Sequence, residues 1–208
     1  MGEEINFKDG TLVFKRKLNK KETYKISKGK KNTTLTIFNK PQIVRGVASY
    51  CADGKHVLFI DYDDVPRWLV EEDYLRLQRL FKIPLGYLFT TKQNLKDQEF
   101  GNYHVICLAK FYPKEIYEMI SITHADINYA SMPLRNKYRN WILRIGTKIN
   151  KVKPKFIGFI GEDFKGYKCS ISSSHLTLLN KLYPEIKHPV FQDEDKLDSI
   201  YLQDYEAL

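Results

Sequence analysis

The sequence of 208 residues has few cysteines, no long apolar run and no basic residues among its first four. Its three cysteines, Cys51, Cys107 and Cys169, stand far apart, which excludes a disulfide framework or a CxxC metal knuckle built from neighbouring thiols. No apolar stretch approaches the length that crosses a bilayer, and the acidic start at residues 1–4 is unlike the basic n-region of a signal peptide. We therefore expect a soluble, intracellular (cytoplasmic) protein without a membrane partner.

Internal repeats and long linkers are also absent from the sequence, so we expect one compact domain with extensions. Hydrophobic residues make up 43% and aromatic residues 13% of the chain, which is enough to bury a sizeable core. We predict a basic β-hairpin region packed on the core at 1–50, the core itself at 51–185, and an acidic tail at 186–208.

Charge is distributed unevenly along the chain, whose net charge is +9. Lysine and arginine crowd residues 15–31, whereas aspartate and glutamate crowd residues 193–206. A basic cluster attracts polyanions by counterion release, and nucleic acid is the commonest such partner. A lysine-rich surface without a specific partner accounts equally well for the charge alone.

The acidic segment at 192–208 carries apolar residues at three- and four-residue steps, among them Leu197, Ile200, Tyr201 and Tyr205. This spacing predicts an amphipathic helix. We consider three roles for it: completing the fold, recruiting a single-strand-binding partner, and shielding the basic region from non-specific DNA.

Hydrophobic periodicity and turn residues predict a mixed order of helices and strands. The fold class we expect is α/β, more specifically α+β, with a small mixed β-sheet backed by helices. The predicted elements are a hairpin formed by 23–27 and 34–38; strands at 56–60, 85–91, 103–108, 141–145 and 156–160; and helices at 71–81, 113–120 and 176–182.

An acid pair follows the first core strand, because Asp61 and Asp63 come directly after the apolar run 56–60. Residues two apart on a strand project from the same face, so the two carboxylates are expected side by side. Like charges this close repel each other unless a cation offsets them. The pair therefore indicates a divalent metal site, and the alternative is a solvated strand end.

Three further features follow the acid pair in order. Asn102 stands two residues before His104 in a predicted strand, Asp126 is a lone acid, and Arg144 and Lys148 lie in a Leu-Arg-x-x-x-Lys segment. Together with the acid pair, this order resembles the archaeo-eukaryotic primase superfamily. It looks most like the compact primase-polymerase branch from archaea and their plasmids and viruses.

The resemblance implies a nucleotidyltransferase, a DNA primase or polymerase with an RRM-like palm in the catalytic core at 51–185. Asp61, Asp63 and Asp126 would then be its catalytic acids and the ligands of Mg²⁺ or Mn²⁺. Oxygen ligands with near-octahedral geometry suit magnesium, and substrate phosphates complete such a site. Asp126 could instead serve as a turn or helix-cap residue, since it follows a predicted helix by a few residues. The alternatives for the third acid are then Asp64, Glu99 and Asp163.

The same resemblance implies that His104 contacts the triphosphate of the incoming nucleotide and that Arg144 and Lys148 hold phosphates. Asn102 belongs to this nucleotide-binding set, although the family usually has serine there. The implied partners are nucleoside triphosphates and a single-stranded or primed DNA template, with a helicase or single-strand-binding protein as further candidates.

Two other functions stay open at this point. The segment Asp61-Tyr62-Asp63-Asp64-Val65 also fits the DxDx[TV] pattern of haloacid-dehalogenase-like phosphatases, in which the first aspartate is the nucleophile. The remaining roles of that mechanism would fall to Thr90 or Thr91, Lys148, and Glu162 with Asp163. However, a long basic segment precedes the motif, and that fold expects more βα repeats. The third possibility is a non-catalytic module that grips single strands by charge and stacking.

Overall fold

We describe the fold from a computed structural model. Backbone and side chains are described for residues 46–91, 100–135, 139–146, 153–163, 166–167, 169–189 and 191. The backbone alone is described for residues 3–6, 12–15, 20–28, 31–39, 42–45 and 202–207.

The described residues form short strands and helices that alternate in the middle of the chain. The strands are β1 (Glu3–Asn6), β2 (Leu12–Lys15), β3 (Lys20–Lys28), β4 (Lys31–Asn39), β5 (Gln42–Ala48), β6 (His56–Val65), β7 (Gly86–Thr90), β8 (Gly101–Phe111), β9 (Ile142–Arg144), β10 (Lys155–Ile160) and β11 (Leu202–Ala207). The helices are α1 (Arg67–Phe81), α2 (Pro113–Ser121), α3 (Ile127–Ala130), α4 (Met132–Arg135) and α5 (Ser173–Leu182).

The central sheet has four strands in the order β10-β7-β8-β6. Because β6 and β7 both pair antiparallel with β8 and are joined through α1, they form a split βαβ unit around it. Strand β10 lies beside β7 at one edge of this sheet, and β6 forms the opposite edge. The expected α+β class is confirmed, and the described strands pair antiparallel throughout rather than in a mixed sheet.

The two faces of the central sheet are covered by different elements. We call the face that packs on α1 and α2 the back face; it buries Tyr62 and Cys107 against Tyr74 of α1. The opposite, front face carries Phe59, which packs against His175 of α5 at a ring distance of 5.9 Å. Both faces are thus covered at the end of the sheet where β6 begins, and this end holds the core.

A second sheet has the order β11-β5-β9 and joins strands from the three predicted regions of the chain. The remaining strands form two separate antiparallel pairs, β1 with β2 and β3 with β4. The β3–β4 pair is the predicted hairpin, longer at both ends than 23–27 and 34–38.

The predicted core elements are confirmed, with small differences at their ends. Helix α1 begins at Arg67 rather than at residue 71, after Pro66 in an extended conformation, and ends at Lys82 in the left-handed conformation. Strand β6 continues past residue 60 through Val65, so the acid pair lies within the strand. The polar segment 92–99, for which the sequence predicts a loop, lies outside the described residues.

The predicted tail helix is wrong at Leu202–Ala207, which form strand β11 and pair with β5 from Val47 to Gln42. A short polar segment is a marginal helix in isolation, because nucleation is costly. Residues 202–207 pair with β5 along their whole length. The backbone hydrogen bonds of this pairing outweigh the weak helical preference indicated by the spacing of the apolar residues. The rest of the tail, residues 192–201, lies outside the described residues.

Membrane spans were sought among the described helices. None of them is long and apolar enough to cross a bilayer.

A buried histidine lies between the two sheets. His56 is 4% exposed, and its Nδ1 lies 2.9 Å from Ser49 Oγ, which also accepts the Trp141 backbone N–H at 3.2 Å. Burial lowers the pKa of His56 to about 4, and the nearby His175 acts in the same direction. The imidazole is therefore neutral at physiological pH.

Because protonated His56 is disfavoured only in the folded state, stability is complete above about pH 6.5, the unfolded pKa. It should fall as the pH drops from there to about 4, the folded pKa, by a few kcal/mol in total. Urea denaturation at stepped pH measures this loss, with His56→Asn as the control that keeps a polar group near Ser49. Parallel pH profiles for the two proteins would contradict the assignment.

Candidate functional site

The register between β6 and β8 places Asp61 directly opposite His104. His104 Nε2 lies 3.3 Å from Asp61 Oδ1. Directly opposed residues of an antiparallel pair point to the same face, so both side chains belong to the front face. Two predicted site residues that are far apart in sequence are therefore in contact.

This pair lies where the cover of the front face ends. The next pair on the same face, two residues away on each strand, is Phe59 with Ile106. Both are buried and line an apolar pocket with Leu143 and Leu178. At the pair itself, the Asp61 side chain is 25% exposed and that of His104 only 6%. The carboxylate thus reaches solvent from a largely buried support.

Asp63 lies two residues beyond Asp61 and is exposed, with the buried Tyr62 between them. This alternation places Asp61 and Asp63 on the same face, as the sequence predicts. The strand register then shifts between Tyr62 and Val65, so Asp63 and Asp64 together oppose Asn102. Such a two-for-one arrangement is a β-bulge, and it turns the chain at the site.

Asn102 holds the bulge. Its Oδ1 accepts the Asp64 backbone N–H at 3.1 Å, and Asp64 has a positive φ of 56°. The backbone carbonyl of Asn102 accepts the Thr91 backbone N–H at 3.2 Å. The amide oxygen of Asn102 therefore positions the backbone of the bulge. The sequence predicted only a nucleotide-binding role for Asn102, at a position where the family usually has serine.

Asp126 lies at the free edge of β6. Its backbone N–H donates to the Asp61 carbonyl at 2.8 Å. Its carboxylate accepts the backbone N–H groups of Asn128 and Tyr129, both at 3.1 Å, and so caps α3. The third predicted acid is therefore next to the first along the backbone, with its carboxylate in a helix cap.

The segment that carries Asp126 is held from behind by Asp73 of α1. Asp73 is fully buried, and its Oδ2 accepts the His124 backbone N–H at 2.7 Å while the His124 ring nitrogen lies 3.1 Å from Oδ1. Arg76, 3.6 Å from the same carboxylate, donates to the Ile122 carbonyl at 3.0 Å. These contacts fix residues 122–126 against β6.

Asp73 was missed in the sequence, although a signal for it exists. It falls on the same helical face as Val70, Tyr74 and Leu77, so it is a charged residue at a core position. Burial and the neighbouring Asp73 charge raise the pKa of Tyr62 well above its ordinary value. Asp73 thus lies directly behind the strand that carries the acid pair.

Arg144 is buried in β9, in the second sheet, and its Nη1 donates to the Gly146 carbonyl at 2.8 Å. Burial raises the pKa of Tyr183 to about 12, although the nearby Arg144 charge acts to lower it. The Tyr183 ring lies 4.9 Å from Phe89, which is the register partner of His104 on β7. Arg144 therefore lies near Tyr183, whose ring packs beside Phe89 on the front face.

The other candidates are distributed as follows. Lys148 and Glu99 lie outside the described residues. Asp163 is exposed after β10, where the backbone N–H of the adjacent Glu162 donates to the buried Gln78 amide of α1 at 2.8 Å. Within the part of the chain that the structure describes, no three side chains of histidine, cysteine, aspartate or glutamate are grouped to hold a metal ion. The three-acid metal site stays a prediction.

Comparison of the chain with protein-family models, with curated proteins and with solved structures gives no match. The assignment of a function therefore depends on the residues and contacts of this chain.

Asp73→Ala should destabilise the protein by about 2–4 kcal/mol, because it removes a buried acceptor and leaves Arg76 without this partner. It should also accelerate amide exchange across residues 122–131, where the Asp126 N–H binds Asp61. Urea denaturation and hydrogen exchange followed by mass spectrometry measure the two effects.

Glu72→Ala on the same helix is the matched control, since Glu72 is 56% exposed and forms only a surface contact of 3.8 Å with Arg76. Its loss should cost no more than about 0.5 kcal/mol. Equal stability losses for the two variants would rule out the positioning role of Asp73.

Proposed function

We propose that the chain is a metal-dependent nucleotidyltransferase, a DNA primase or polymerase that extends or initiates a primer on a single-stranded template. The observation that carries this proposal is the contact between Asp61 and His104 on neighbouring strands, with Asp63 on the same face at its open end. These residues come from separate motifs of the primase-like pattern, and the pattern by itself did not require them to meet.

The donor set suits hard divalent cations. Asp61 and Asp63 offer four carboxylate oxygens as ligands. A Mg²⁺ or Mn²⁺ ion bound by them would still have coordination positions for water and for substrate phosphates. In nucleotidyl transfer, such ions activate the attacking 3′-hydroxyl and stabilise the departing pyrophosphate. Asp126 is the candidate for a third ligand, because its backbone is bonded to that of Asp61.

His104 has two tasks in this proposal. Its Nε2 holds Asp61 from a buried position, which limits the rotamers of the carboxylate. The imidazole also stands beside the place where triphosphate oxygens would meet the acids, and a preorganised donor there stabilises developing charge. Arg144, on the second sheet, and Lys148 are the proposed phosphate contacts.

The fold argues against the phosphatase alternative. A haloacid-dehalogenase-like mechanism uses an aspartate at the carboxyl end of a strand in a parallel, doubly wound sheet. Here Asp61 lies within an antiparallel edge strand, and the described strands pair only antiparallel. Binding of single strands without catalysis is the remaining alternative, and the activity assay below separates it.

Asp61→Asn should lower primer extension by at least about 100-fold, since a lost metal ligand removes several kcal/mol of transition-state stabilisation. The assay combines the purified chain, single-stranded or primed DNA, labelled nucleotides and Mg²⁺ or Mn²⁺, and separates products by length. Glu118→Gln, an exposed charge change on α2, is the control and should keep full activity. A wild-type chain that makes no product with any template, nucleotide or metal would overturn the proposal.

Asp126 offers a sharper test, because asparagine also caps helices well whereas alanine does not. If Asp126 is a metal ligand, Asp126→Asn should lose extension activity and keep its thermal stability. If Asp126 is only a cap, Asp126→Asn should remain active and Asp126→Ala should be destabilised by about 1 kcal/mol. Asp64→Asn and Asp163→Asn are then the next variants for the third acid.

A further inference from the structure

An aromatic surface covers the β10 end of the front face. The rings of Phe156 and Phe159 lie 5.3 Å apart, and the Phe159 ring lies 5.1 Å from Tyr87 of β7. The Phe156 ring lies 5.6 Å from Phe89, whose other neighbour is Tyr183 at 4.9 Å. We call these five residues the β10 aromatic surface.

A bulge in β10 creates this surface. In a regular strand, Phe156 and Phe159 are three residues apart and would point to opposite faces. The pairing of β10 with β7 shifts register between Phe156 and Gly158, and Gly158 has a positive φ of 147°. The extra residue turns Phe159 to the same side as Phe156, so both rings meet Tyr87.

The surface has a rigid base and an exposed rim. Tyr87 and Phe89 are 0% and 1% exposed, whereas Phe159 is 37% exposed and Phe156 is half-buried. Among the described strands, β10 is at the edge of its sheet. Exposed aromatic rings on a fixed base are suited to stacking with flat ligands.

Two exposed lysines, Lys153 and Lys187, lie near the rings. The Nζ of Lys153 lies 4.4 Å from the centre of the Tyr183 ring, whereas Lys155 pairs with Thr90 and belongs to the opposite, back face. Lys187 is exposed beside His188, whose ring lies 5.5 Å from that of Tyr87. The acidic residue Glu185 lies near Tyr183, and Glu162 and Asp163 are exposed just after the end of β10. The edge therefore carries charges of both signs, and the groups suited to contact a phosphate beside the rings are Lys153 and Lys187.

One transverse row of the sheet connects this surface to the candidate site. Asp61 is opposite His104, His104 is opposite Phe89, and Phe89 is opposite Phe156. Three strand spacings separate the ends of this row, a distance of about 14 Å. The aromatic surface and the acid pair thus occupy the two edges of one face.

We propose that the β10 aromatic surface binds single-stranded nucleic acid, with unpaired bases stacked on Phe156 and Phe159 and phosphates held by the lysines. Stacking combined with cations is the chemistry by which proteins hold single strands without reading their sequence. This inference deepens the proposed function, because it names the surface that would guide a strand toward Asp61. An apolar protein partner would fit the rings but would gain nothing from the lysines.

The test measures binding alone, in EDTA and without nucleotides, by fluorescence anisotropy of a labelled oligothymidylate. Phe159→Leu should weaken binding by roughly 5- to 100-fold, the usual effect of losing one stacked base. Phe159→Trp keeps an aromatic ring and should bind within about twofold of the wild type. Lys153→Gln should reduce the slope of log affinity against log salt by about 0.7, as expected for one phosphate contact on a single strand.

Tyr112 and Lys55 provide the matched controls. Tyr112 is 60% exposed and Lys55 Nζ lies 5.3 Å from its ring centre, so this pair copies the chemistry of the surface at a different place, the start of α2. Tyr112→Leu and Lys55→Gln should leave the oligothymidylate affinity unchanged. Circular dichroism checks that each variant is folded.

The proposal is overturned if the wild-type chain does not bind the oligothymidylate, if Phe159→Leu binds as the wild type does, or if duplex DNA binds as tightly as the single strand. The outcome is independent of the catalytic proposal. Asp61→Asn should retain full affinity, and a surface that binds single strands in a chain without extension activity would refute catalysis alone.

Discussion

The antiparallel pairing of β6 with β8 is the constraint on which the candidate site depends. It brings Asp61 opposite His104 across more than forty residues of sequence and leaves their side chains on one face. A shift of one residue would move Asp61 to the back face against α1 and α2, where an unpaired carboxylate is costly. The buried neighbours on both sides, Ile60 and Tyr62, make such a shift unfavourable. Register and site geometry are therefore specified by the same apolar residues.

A second constraint acts from behind the sheet. The fully buried Asp73 can be accommodated in the core because the backbone and ring of His124 and the guanidinium of Arg76 satisfy it. These contacts hold residues 122–126, so the Asp126 N–H can reach the Asp61 carbonyl at the edge of β6. The free edge of β6 thus gains a backbone hydrogen-bond partner at Asp61. The same contact places Asp126, the N-cap of α3, beside the acid pair.

Irregular strand geometry shapes both edges of the front face. At β6, a bulge held by Asn102 puts Asp63 and Asp64 in solvent. At β10, a bulge at Gly158 gathers two phenylalanines on one side. The centre of the sheet is regular and buried, whereas polar and aromatic side chains are exposed at its margins.

Periodicity by itself predicted most elements of the core, because the alternation in β6 and the spacing in α1 depend on near neighbours in the chain. It also placed Asp61 and Asp63 on one face. It left open whether Asp126 caps a helix, a local contact that the structure shows. It did not predict that β11 is a strand, that Asn102 holds a bulge, or that the Asp126 N–H meets the Asp61 carbonyl. Each of these three depends on a partner distant in sequence: β5 for the tail, Asp64 for the Asn102 amide, and the edge of β6 for Asp126. Local sequence determined the elements and the acid pair, whereas tertiary packing decided which polar groups meet, since burial requires each of them to find a partner.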